Sequence, residues 1–63
     1  MTRPELVATL LLLEFKLCYG CTLTYCKKDT IIYISEIFDT VDIKINNKNY
    51  LGIEYKHTLK KIM

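Results

Sequence analysis

Few residues in this chain could do chemistry. There is one histidine, His57, and there are three cysteines, Cys18, Cys21 and Cys26. Cys18-Tyr19-Gly20-Cys21 has C-x-x-C spacing, and with Cys26 and His57 it supplies the donors of a Cys₃His zinc site. His57 also closes the tripeptide Tyr55-Lys56-His57, and Lys60 and Lys61 follow it. Clustered cations of this kind attract phosphates, and a neighbouring imidazole adds a hydrogen-bonding group. As a general base, His57 would need a nucleophile to activate, and none is visible, so the sequence is read as non-enzymatic. The zinc reading suffers from the spread of the thiols. Cys18 ends an expected helix and Cys26 ends an expected strand, about five residues beyond Cys21. No metal and no cofactor is therefore expected. The plain alternatives are an exposed histidine at the end of a strand and a lysine-rich end that is merely solvated.

Position along the chain decides what these residues can do. Thr2-Arg3-Pro4-Glu5 is a helix start: Thr2 caps, Pro4 suits the first turn, and Glu5 completes a Thr-x-x-Glu capping box. Gly20 is the natural stop, so a helix is expected over about residues 3–19. Its apolar arc, from Leu6, Val7, Leu10, Leu11, Leu13, Phe15, Leu17 and Cys18, is wider than one sheet face can cover. After Gly20 the period changes to two. Strands are expected over about residues 21–26, 30–36, 38–45, 49–55 and 58–62. Lys27-Lys28-Asp29 and Asn46-Asn47-Lys48-Asn49 are turns, the latter because Asn tolerates the left-handed conformation. A three-residue loop there would set Ile45, Ile43 and Val41 beside Leu51, Ile53 and Tyr55. A two-residue loop would turn one strand to the wrong face. The expected fold is mainly β with one N-terminal helix: a five-stranded, strongly bent antiparallel sheet forming an open barrel.

Sixty-three residues make one domain, residues 1–63. A chain of this size buries only about 60% of its unfolded surface. Yet 51% of its residues are hydrophobic, so some of that surface is expected to meet another subunit. The net charge of +2 is too small to indicate a nucleic-acid partner unless it is distributed asymmetrically. Residues 6–13 are apolar but too short to span a bilayer. Glu5 precedes them, Glu14 and Lys16 follow, and no small-residue cleavage site comes next. The expectation is a cytoplasmic protein with reduced thiols and no membrane partner.

The order of these elements, with two short motifs, resembles the Sm-like family and, within it, the bacterial Hfq RNA chaperones. Phe38-Asp39, before the alternating Val41-Asp42-Ile43-Lys44-Ile45, is similar to that family's Phe-Asp step. Ile53-Glu54-Tyr55-Lys56-His57 is similar to the Tyr-Lys-His signature closing its fourth strand. The resemblance runs over about residues 33–59 and is topological before that. It implies a homohexameric ring joined edge to edge through the last two strands, with single-stranded, uridine-rich or adenine-rich RNA as the partner. By the same resemblance Lys56 and His57 line a proximal pore, and Thr40 and Val41 stand where the family has Gln and a base-stacking aromatic. Stacking on an aromatic contributes about 1–3 kcal/mol per base, so Val41 should weaken uridine binding. On the distal face the resemblance implies Tyr25 and Thr30 as RNA contacts. Lys16 is the remaining cation of the family's basic rim.

Two functions follow. One is an RNA-binding ring, an RNA chaperone in post-transcriptional regulation, favoured by Lys56, His57 and Tyr25. The other is a protein-interaction module that keeps the Sm-like fold without RNA binding, favoured by Val41 and the thinned basic rim.

Overall fold

The computed structural model describes residues 1–20 and 22–63. The chain begins with α1 (Arg3–Leu12), whose start is the capping box the spacing predicts. The Thr2 side chain accepts from the Glu5 N–H, and Glu5 Oε1 accepts from the Thr2 N–H at 2.9 Å. The helix ends seven residues before the expected residue 19. Its stop is a Schellman closure. The Phe15 N–H donates to the Leu10 carbonyl at 2.9 Å and the Glu14 N–H to the Leu11 carbonyl at 3.0 Å. Glu14 takes the left-handed position at φ 70° that glycine usually fills. Phe15 and Leu10 are both buried, which supplies the apolar contact of that motif.

The released residues form a short edge strand, β1 (Lys16–Leu17), where helix was expected. A meander follows: β2 (Thr24–Lys27), β3 (Thr30–Ile34), β4 (Thr40–Ile45) and β5 (Lys48–Glu54). All neighbours are antiparallel, in the order β1-β2-β3-β4-β5. The sheet is not closed into a barrel, and β1 and β5 are its edges. The expected strand over 21–26 starts at Thr24, and its first residue, Cys21, lies outside the described residues.

The β4–β5 turn has two residues, not three. Ile45 pairs with Lys48, and Asn46 and Asn47 both have positive φ (48° and 70°), as a type I′ hairpin requires. Such a loop alone would misalign the rest of β5. A bulge corrects it: Ile43 faces Tyr50 and Val41 faces Ile53, so Leu51 and Gly52 together oppose Asp42. Gly52 takes φ 66°, and its N–H donates to Asp42 Oδ1 at 3.0 Å. Tyr50 therefore packs on the core where Leu51 was expected, and Leu51 is exposed.

The expected last strand over 58–62 is instead a helix, α2 (Tyr55–Ile62). Tyr55, Thr58, Leu59 and Ile62 have i, i+3, i+4, i+7 spacing and are buried or half-buried, while Lys56, His57, Lys60 and Lys61 are exposed. The lysines near its end complement the helix dipole. One core holds everything together. The inward rows Tyr25, Ile32, Ile43 and Ile34, Val41 meet Leu6 and Leu10 of α1, Phe15, and Tyr55 of α2. Both helices thus pack on one face of the sheet. The other face carries Thr24, Cys26, Ile31, Tyr33, Asp42, Lys44 and Asn49, all exposed or half-buried.

Candidate nucleic-acid interface

Arg3 anchors the region around the start of α2. Its guanidinium donates to the Ser35 carbonyl at 2.7 Å and reaches the Tyr55 hydroxyl at 3.4 Å. The bond to Tyr55 raises the Arg3 pKa above its ordinary value, and the charges of Asp39 and Glu36 add to this. One side chain thereby ties the N-terminus of α1, the β3–β4 loop and the first residue of α2 together.

From that start, helical geometry sets the basic face. Lys56 and Lys60 stand one turn apart, as do His57 and Lys61. All four are exposed. His57 Nε2 lies 3.7 Å from Glu54 Oε1, the one carboxylate beside the cluster in sequence. The Lys61 ammonium sits over the Tyr50 ring, 4.5 Å from its centre, which holds that lysine against β5. The charge is also distributed unevenly along the chain. Residues 48–63 hold four lysines against one carboxylate, a formal +3, whereas residues 1–47 hold five basic against six acidic residues, a formal −1. The mild overall charge conceals this asymmetry.

The other residues named from the sequence scatter. Thr40 pairs with Glu54 at the foot of the sheet, half-buried and adjacent in register to the α2 start. Val41 is wholly buried in the core and presents no surface to a base. Tyr25 is buried in the same core, so its ring packs against side chains instead of facing solvent. Both lie in inward rows, and those rows lie beneath the helices. Thr30 is half-buried at the β2–β3 hairpin end, paired with Lys27 and Ile45. Lys16 is exposed on β1 beside Lys27 and Lys28, away from α2. Lys60 and Lys61, which the resemblance did not single out, complete the face. The period of Tyr55, Thr58, Leu59 and Ile62 was the sequence signal that could have found it.

Among the described residues, no three of His, Cys, Asp and Glu come together to hold a metal ion. Cys21, the third thiol of the zinc reading, is outside them. Among the described residues, no helix is long and apolar enough to cross a membrane. No family model, no curated protein and no solved structure matches the chain.

Proposed function

We propose that this chain binds single-stranded RNA through the exposed face of α2, with Lys56, Lys60 and Lys61 on phosphates and His57 on a sugar hydroxyl or base edge. The observation that carries the reading is the clustering of these four side chains on one short helix in the basic last quarter of a chain that is otherwise slightly acidic. Phosphate contacts supply most of the sequence-independent affinity for nucleic acids. An eight-residue helix is about 12 Å long, which suits a few consecutive phosphates of one strand. His57, able to donate or accept, can address the 2′-hydroxyl that separates RNA from DNA. The finer reading, a divergent Sm-like subunit in a ring, draws support from α1 followed by a meander of antiparallel strands. It must accommodate α2 where that family has its closing strand.

Fluorescence anisotropy with labelled oligo-U, oligo-A, oligo-dT and an RNA duplex, across a salt series, tests the proposal. Three lysines on phosphates predict a slope of log K against log salt near −2, taking about −0.7 per phosphate. Lys56→Ala, Lys60→Ala and Lys61→Ala should each flatten that slope. His57→Ala should weaken RNA binding and narrow the RNA–DNA difference while leaving the slope unchanged. Binding that is unaffected by the triple lysine variant would overturn the reading. A second reading, a protein-interaction module without RNA binding, is favoured by the exposed Leu11, Leu12, Leu17, Ile37 and Phe38. No measurable binding to any oligonucleotide at low salt would favour it.

A further inference from the structure

Two surfaces outside the α2 face fit one another. The first is the β3–β4 loop. Ile37 is 84% exposed and Phe38 66% exposed, and Glu36 and Asp39 flank them. The loop is held in shape. Ser35 Oγ accepts from the N–H groups of Ile37 and Phe38 at 3.2 and 3.0 Å, and the Ser35 N–H donates to the Thr40 carbonyl at 3.0 Å. Arg3 grips its Ser35 carbonyl. Two large apolar side chains are therefore presented to water on a pre-ordered support with a carboxylate on either side.

The second surface is an open groove of about 900 Å³ at the β1 edge. Leu11, Phe15 and Leu17 give it an apolar lining, and Lys16, Lys27 and Lys28 stand around it. Glu14 is its one acidic member. Lys27 is fixed there, donating to the Leu13 carbonyl at 2.7 Å and lying 5.8 Å from the Phe15 ring centre. An apolar floor with a cationic rim is the complement of an apolar knob with an acidic rim.

The two cannot meet within one molecule. Arg3 holds the loop at the first residue of α1, and Leu11 lines the groove at the other end of that helix. Arg3 and Leu11 are eight residues apart, about 12 Å along the helix. We infer that the chain assembles head to tail, the Glu36–Asp39 loop of one copy docking into the Leu11–Phe15–Leu17 groove of the next. Ile37 and Phe38 enter the groove, and Glu36 and Asp39 meet Lys16 and Lys28. The loop order set by Ser35 lowers the entropic cost of docking. The contact is heterologous, so successive copies close into a ring or extend as a filament, according to the rotation between them. It uses no α2 cation and stands independently of the RNA proposal.

Sedimentation velocity over protein concentrations from about 1 μM to about 1 mM, the range of weak specific association, tests this. The wild type should gain mass past the dimer. Ile37→Ala/Phe38→Ala removes the knob, and Lys16→Glu/Lys28→Glu reverses the rim; all four side chains are exposed, so both variants should keep the wild-type circular dichroism. Each variant alone should stay monomeric. Their equimolar mixture should form a one-to-one dimer and nothing larger, because a single intact loop and a single intact groove remain per pair. Glu36→Lys/Asp39→Lys should also be monomeric and should regain association when mixed with Lys16→Glu/Lys28→Glu. A wild type that stays monomeric throughout, or stops at the dimer, overturns the inference. So does association that survives in the knob variant, or a variant mixture that stays monomeric.

Discussion

Glu14 shows how much one residue can decide. Its left-handed backbone closes α1 and sends the chain back toward the sheet, yet its side chain is exposed. A left-handed L-residue costs roughly 1–2 kcal/mol, which glycine avoids. Glu14→Gly should therefore raise stability by about 1 kcal/mol, or about 4–8 °C in Tm for a domain this small. Thermal denaturation followed by circular dichroism checks it. At the other end of α1, Glu5 is held below its ordinary pKa of 4.5, chiefly by the Thr2 backbone N–H and then by the Thr2 hydroxyl. A folded-state pKa below the unfolded one contributes stability that is fully present above pH 4.5 and is lost as the pH falls through the depressed value. Urea titrations of wild type and Glu5→Ala should differ at neutral pH and converge in acid. Thr2→Ala should cost about 1 kcal/mol at neutral pH.

Among the elements, β5 does the most to shape the surface. It is the longest strand and lies at an open edge, which is a template for unwanted pairing. The bulge at Leu51–Gly52 interrupts that edge and brings Ile53 back to the core side. A Cβ at Gly52 would meet nothing within 4 Å, so substitution there has a conformational cost and no steric one. Gly52→Ala should destabilise by about 1–2 kcal/mol, and Gly52→Asn by less, because Asn enters the left-handed region more easily. Equilibrium urea denaturation separates the two. Equal losses for Ala and Asn would show that backbone conformation is not the cause. Beyond β5, α2 turns its half-buried residues toward β4 and β5 and its cations outward. The candidate interface is thus a by-product of the packing that completes the core.

The described residues share one core, and a domain this small has little reserve. At about 0.05–0.15 kcal/mol per residue, a 63-residue domain has a stability of roughly 3–9 kcal/mol. Ile43 is buried where β3, β4 and β5 meet, facing Ile32 on one side and Tyr50 on the other. Truncating a buried Ile to Ala costs about 2–5 kcal/mol, and Ile to Val about 0.5–1.5. Ile43→Ala should lower the urea midpoint by much more than Ile43→Val, and both variants should lie below the wild type. A folded Ile43→Ala variant with a near-wild-type midpoint would place the centre of the core elsewhere.

The features legible in the sequence are local ones. The capping box at Thr2–Glu5 and the alternation of Val41, Ile43 and Ile45 depend on neighbours a few residues away, and the structure contains both. The two asparagines of the last hairpin carry their turn preference in their own side chains. The helical period of Tyr55, Thr58, Leu59 and Ile62 is also present, but eight residues are too few for a period alone to exclude the short last strand expected over 58–62. What only the tertiary structure decided is which faces are covered. Alternation says that two faces of a strand differ, not which one receives the helices. Val41 and Tyr25 are buried because α1 and α2 both pack on the face to which those residues point. α1 stops at Leu12 because Phe15 gains more in the core than Glu14 loses in the left-handed region. Lys56, His57, Lys60 and Lys61 share a face because Tyr55 and Thr58 need the interior, a demand that exists only once the sheet has folded.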